Sequence, residues 1–201
     1  MVNTNISKYI SYLLRHCPED GDLTLDKEGY CYTEDLVKAV EKKFGEFTLR
    51  DLEEIVATDE KKRYSFNNTH YMIRANQGHS TKQVDITFKA ATPPDVLYHG
   101  TADRFYFSIL EKGILPMNRQ FVHLSKDEET ARKVGKRHGK EVVLKVNCKE
   151  MVEDGYPFFI SDNGVYLVPN VPPQYLIVEW YQWNGKFDFK FIEMEKKKNE
   201  K

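Results

Sequence analysis

Apolar residues recur at helical spacing from the start of the chain: Ile6, Tyr9, Ile10, Leu13 and Leu14 form one stripe behind polar Asn3, Thr4 and Asn5, any of which suits a cap. This predicts a helix over 6–15. The turn residues Pro18, Glu19, Asp20 and Gly21 and a short alternating piece around Leu23 and Leu25 follow. Thr33 then opens a second amphipathic helix through Leu36, Val37 and Val40, which stops near Gly45. Thr48 caps a third, through Leu49, Leu52, Ile55 and Val56. KKRYSF and YMIR then read as two strands joined across Asn67 and Asn68. Three helices and a short hairpin follow the element order of a winged helix.

The texture changes near Ala90. Pro93 and Pro94 punctuate the chain, and short β-rich runs follow at 96–99, 121–124, 142–146, 157–160, 165–168, 175–182 and 187–193. Two helices interrupt them, one over 105–112 and one from a Ser125 cap through Asp127, Glu128 and Glu129 to Val134. The tail EKKKNEK reads as a solvated end. The expectation is an α+β fold of two lobes, 1–90 and 91–201.

Composition agrees with a folded chain: 201 residues, 40% hydrophobic and 13% aromatic, enough for two lobes of roughly 100 residues each. The formal charge of −1 gives no global sign of nucleic-acid binding, so any RNA site has to be a local basic cluster. Cys17, Cys31 and Cys148 are too few and too scattered for a zinc framework, which points to reduced thiols and a cytoplasmic setting, or a nuclear one in a eukaryote. No leader pattern is seen at the N-terminus, and no run approaches the ~18 apolar residues of a membrane span.

Candidate chemistry gathers at a few places. Arg15 and His16 end the first helix, where basic residues also serve the helix dipole. Arg63 follows Lys61 and Lys62, a run that also reads as a solvated charged face. Arg74, His79 and Ser80 stand in IRANQGHS, a polar loop that is either structural or functional, with Arg74 also suited to a structural anchor. His99 lies in LYHGT, read as a strand ending on a Gly100-Thr101 turn open to a phosphate or ribose. His123 in FVHLS repeats the theme, with Ser125 at a helix start able to hold an anion. Asn163 and Gly164 form a turn that equally suits an ordinary hairpin. GxGxxG, the phosphate-binding GxxxxGK[ST] loop, HExxH and GxSxG are all missing, which removes the dinucleotide, P-loop, metalloprotease and serine-hydrolase readings.

Together, SKYISYLLRH, DKEGYCYTEDL, KKRYSF, IRANQGHS, PPDVLYHGT, FVHLS, KRHGK and SDNGVYL resemble the tRNA 2′-phosphotransferase family, whose bacterial members are called KptA, over about residues 5–182. The resemblance implies a winged-helix-like RNA lobe and an ADP-ribosyltransferase-like NAD⁺ lobe in a monomer. It implies a catalytic Arg-His-Arg-Arg tetrad at Arg15, His16, Arg63 and Arg119, with Arg119 approaching from the second lobe. It also implies a His-His-Val signature at His99, His123 and Val165. By the same resemblance His79, Ser80, Gly100, Thr101, Ser125 and Asn163 complete the NAD⁺ contacts, and no metal is expected.

The implied reaction has two steps. The RNA 2′-phosphate attacks the anomeric carbon of the nicotinamide ribose of NAD⁺, releasing nicotinamide and linking RNA to ADP-ribose. The neighbouring ribose hydroxyl then attacks phosphorus, freeing RNA with a 2′-hydroxyl and ADP-ribose 1″,2″-cyclic phosphate. Such a phosphate is the kind left at tRNA splice junctions, and His16 is the candidate acid for the departing RNA oxygen. Two alternatives stand beside it: an ADP-ribosyltransferase that caps terminal phosphates of RNA or DNA, and an RNA-binding module with a degenerate partner lobe.

Overall fold

In the computed structural model, residues 4–177 are described. The chain divides into two units: 4–89 with 118–120 and 161–163, and 90–117 with 121–160 and 164–177. The two short segments lie in the range assigned from sequence to the second lobe, and they belong to the first unit. Side chains explain this. Asn163 Nδ2 donates to the Lys61 carbonyl at 2.9 Å, Arg74 Nη2 reaches Asp162 Oδ2 at 2.7 Å, and Gln120 Nε2 donates to the Val84 carbonyl.

The first unit begins with α1 (Thr4–Arg15), which buries Tyr9, Ile10, Leu13 and Leu14, the stripe seen in the sequence. Strand β1 (Tyr30–Tyr32) runs directly into α2 (Thr33–Phe44), and α3 is Leu49–Thr58. Thr48 caps α3 in a reciprocal box: Asp51 N donates to Thr48 Oγ1, and Thr48 N donates to Asp51 Oδ2 at 2.8 Å. Strands β2 (Tyr64–Phe66) and β3 (Met72–Ala75) form the expected hairpin. β3 is central in the antiparallel order β1-β3-β2. Ile10, Leu13, Leu14, Leu36, Leu52 and Ile73 fill the core. Strand β1, which the sequence reading left unassigned, gains its partner from a residue pairing such as Cys31 with Ile73.

In the second unit, β5 (Val96–Ala102) pairs antiparallel with β7 (Glu141–Asn147), and β10 (Leu176–Ile177) lies on the far side of β7. A second sheet has the order β4-β8-β9-β6, from β4 (Lys89–Ala90, whose first residue ends the 4–89 segment of the first unit), β6 (Val122–Leu124), β8 (Phe159–Ile160) and β9 (Tyr166–Val168). The helices are α4 (Tyr106–Lys112), α5 (Glu128–Gly135) and α6 (Cys148–Glu153). Leu97, Leu124, Leu144, Val146 and Met151 are among the residues that close its core.

Two local expectations are corrected here. The Gly100-Thr101 step is no turn: β5 continues through it, with His99, Gly100 and Thr101 opposite Leu144, Val143 and Val142. A Cβ on Gly100 would overlap the Ala131 carbonyl oxygen, so glycine is needed there for α5 to pack onto the strand. Ser125 does not cap α5. Asp127 does, accepting from Thr130 N at 2.7 Å, while Ser125 forms a bridge with Tyr98.

Of the expected strand 175–182, the described part is a short 3-10 turn and β10; the rest, the strand at 187–193 and the tail lie outside the described residues. All three cysteines are free. Burial pushes the Cys31 and Cys148 thiols up to about 12, which leaves them unreactive. Among the described residues no helix is long and apolar enough to cross a membrane.

Candidate active site

The first unit gathers all four residues of the expected tetrad. Arg15 ends α1, and its Nε and Nη2 are buried with no hydrogen-bond partner among the described residues. Burial lowers its pKa to about 10. The Arg119 and Arg63 charges push the same way, opposed by Tyr64 and Asp59. A guanidinium normally has its forks filled when enclosed.

His16, the next residue, is exposed, and its Nδ1 lies 2.9 Å from Ser80 Oγ. Ser80 is itself fixed, because its N–H donates to the Arg15 carbonyl at 2.9 Å. Although the residue as a whole is exposed, partial desolvation of its ring takes the imidazole pKa below its ordinary value, followed by the Arg119 and Arg15 charges. The shift favours the neutral imidazole.

Arg63 follows Lys62, whose φ of 45° is left-handed. Asp59 grips it twice, accepting from Arg63 N at 2.6 Å and from Arg63 Nη1. Arg119 belongs to the inserted segment 118–120, so it meets the others within the first unit rather than from the second. Burial lowers its pKa as well. A cleft of about 450 Å³, lined by Asp59, Lys62, Tyr64, Ser65, Asn76 and Asp162 among others, opens beside the Arg63 turn.

IRANQGHS is only partly a loop, since Ile73, Arg74 and Ala75 lie in β3. Arg74 is the structural anchor: it donates to the Glu28 carbonyl and carboxylate, bonds Asp162, and stacks on the Tyr30 ring. His79 is 2% exposed, with no partner for either ring nitrogen among the described residues. Burial, followed by the charges of Arg15, Arg74 and His16, takes its pKa down to about 4.

The second unit brings His99 and His123 together. His99 Nδ1 is 3.2 Å from the His123 carbonyl, and two backbone hydrogen bonds between Tyr98 and Ser125, of 2.9 and 2.8 Å, join the strand segments that carry them. Val165 directly precedes β9, and Thr101 is buried within β5. Asn163 lies in the first unit with both ends of its amide engaged, Nδ2 on the Lys61 carbonyl and Oδ1 accepting from Ser161 Oγ at 2.7 Å. Sequence reasoning missed Asp59 and Asn76. The four-residue spacing of Asp59 and Arg63 was a usable signal, and Asn76 stood in the IRANQGHS run without being singled out.

An arginine with two unfilled buried donors, followed by a histidine whose neutral form is favoured, is an arrangement suited to a phosphate-like anion. The chain belongs to the Tpt1/KptA family of RNA 2′-phosphotransferases, whose sequence model matches residues 2–170. It is 47% identical over 174 residues to a probable RNA 2′-phosphotransferase of Pectobacterium atrosepticum, covering 87% of this chain and 97% of that protein. A protein so named from Pseudomonas syringae is 48% identical over 171 residues, 85% of this chain and 91% of the relative. One from Acaryochloris marina is 46% identical over 172 residues, with 86% and 94% covered. Membership makes the chain a transferase.

Proposed function

We propose that the protein removes a 2′-phosphate from RNA, of the kind left at a splice junction, by transferring it to the ADP-ribose part of NAD⁺. The observation that carries the phosphate half is the pair of buried, unpartnered donors on Arg15, with Arg63 and Arg119 close enough to perturb it. Several fixed cations suit a phosphoryl group whose charge spreads over its non-bridging oxygens. Arg15 presents a planar fork that lysine lacks. Arg63 is pre-aimed by Asp59, and Arg119 completes the grip.

His16 takes the acid role. A dianionic phosphate beside its ring reverses the repulsion from Arg15 and Arg119, raises its pKa and loads it with a proton for the departing RNA 2′-oxygen. Ser80 keeps the ring in place. The three helices and the β1-β3-β2 sheet of the first unit support reading it as a winged-helix-like RNA lobe, and the β-rich second unit as an ADP-ribosyltransferase-like one.

The residues that fit NAD⁺ in the second unit are His99 and His123, whose half-buried imidazoles suit ribose hydroxyls or a pyrophosphate, with Ser125 and Val165 nearby. NAD⁺ supplies an activated ribosyl carbon as the phosphate acceptor. Gly100 and Thr101 contribute by shaping β5 under His99. The test is incubation with NAD⁺ and an oligonucleotide carrying one internal 2′-phosphate. Dephosphorylated RNA, nicotinamide and ADP-ribose cyclic phosphate are expected; a folded protein that leaves the phosphate in place would end this reading.

A further inference from the structure

The turn that presents Arg63 is held more completely than a surface turn requires. Three consecutive carbonyls each receive a donor from elsewhere: Lys61 from Asn163 Nδ2 at 2.9 Å, Lys62 from Asn76 Nδ2 at 2.8 Å, and Arg63 from Asn76 N at 2.8 Å. On the other side Asp59 accepts from the N–H groups of Lys62, through its carbonyl, and of Arg63, through its carboxylate, at 2.7 and 2.6 Å. Lys62 sits at φ 45°. A left-handed non-glycine residue costs about 1–2 kcal/mol and persists only where its surroundings over-determine it.

Neither carboxamide is free to turn over. Asn76 is 3% exposed, and its orientation is set by the Lys62 carbonyl. Asn163 Oδ1 is taken by Ser161 Oγ, and the neighbouring Asp162 is tied to Arg74. Within the first unit the segment 161–163 thus contacts the hairpin entrance at the carbonyl two residues before Arg63.

We propose that Asn76 and Asn163 are positioning residues for Arg63: together they lock the strained Lys61-Lys62-Arg63 turn so that the guanidinium is pre-aimed at the RNA 2′-phosphate. This rests on the reading that Arg63 grips that phosphate. Two side-chain clamps, a left-handed residue and a carboxylate brace converge on the residue that carries the charge. Placement errors near 1 Å at a reacting group cost on the order of 10²-fold in rate, which is what the locking prevents.

The test uses the full chain. Turnover is measured for wild type, Asn163→Ala, Arg63→Ala and the double variant, with thermal melting as a control. Affinity is measured without NAD⁺ for two oligonucleotides of one sequence, with and without an internal 2′-phosphate. Asn163→Ala should lower turnover roughly ten- to a hundredfold and shrink the preference for the phosphorylated oligonucleotide. On the Arg63→Ala background it should change neither. Asn76→Asp, which trades the donor on the Lys62 carbonyl for an acceptor, should repeat the pattern.

Full turnover and full preference in Asn163→Ala overturn the proposal, and so does a loss that simply adds to that of Arg63→Ala or tracks melting. A wild type without preference for the phosphorylated oligonucleotide, or an Arg63→Ala variant that keeps it, overturns the reading underneath as well.

Discussion

The two units differ in what their polar groups are asked to do. In the second, the candidate residues are ordinary members of β structure: His99, Gly100 and Thr101 sit in register opposite β7, Ser125 pairs its backbone with Tyr98, and Gly100 exists to admit α5. In the first, like charges are pressed together. Two buried guanidinium nitrogens of Arg15 have no partner among the described residues, Arg119 is perturbed by burial, and His16 and His79 are both driven toward their neutral forms. The difference teaches that the first unit gathers like charges whose electrostatics a bound anion would relieve. In the second unit the candidate residues serve the sheet.

Removing these charges has the largest expected effect. Arg119→Ala, like Arg15→Ala, should lower turnover by about 10²–10³-fold, the scale of one lost oxyanion donor, with an unchanged circular-dichroism spectrum. Arg15→Lys should also be impaired, because a point charge cannot replace the fork. If Arg119→Ala retained full activity, the phosphate grip would not include the inserted segment.

His79 tests the same unit through stability. Its pKa of about 4 when folded lies below the ordinary 6.5, so as pH falls from 6.5 toward 4 the unfolded chain takes up a proton that the folded chain refuses. Stability is full above 6.5 and is lost through that window by about 3 kcal/mol. Denaturant melts at pH 7 and pH 4.5 on wild type and His79→Gln should show the variant with the flatter dependence. Equal pH slopes would mean that the imidazole is solvated and that the first unit is less strained than argued.

In the second unit, Gly100→Ala should destabilise by about 1–3 kcal/mol through overpacking against α5. Melting would report it, while the preference for 2′-phosphorylated RNA stays intact. A loss of phosphate preference instead would blur the contrast between the units. The smallest effect is expected at the surface of the first: Thr48→Ala removes one side of the capping box and should cost about 1 kcal/mol in stability, with turnover unchanged.

Much of the first unit was legible because its signals are local. The stripe of Ile10, Leu13 and Leu14, and the cap at Thr48 with Asp51 three residues on, are written within single turns. Strand β1 was not, since three residues acquire strand geometry only from β3, some forty positions away. HGT reads equally as turn or strand, and the pairing with Val142 and Val143 decides it. The residue types of the tetrad stood in the motifs. That Arg119 and Asn163 join the first unit depends on hydrogen bonds to Val84 and Lys61 made by their own segments, for which no periodicity exists.

The central claim is that the RNA phosphate is passed to NAD⁺ and not to water. An oligonucleotide with a ³²P-labelled internal 2′-phosphate, followed under single turnover with and without NAD⁺, tests it directly. The account predicts that label leaves the RNA only when NAD⁺ is present, appears in ADP-ribose cyclic phosphate, and matches released nicotinamide mole for mole. Label appearing as inorganic phosphate, or staying on RNA joined to ADP-ribose, would contradict it.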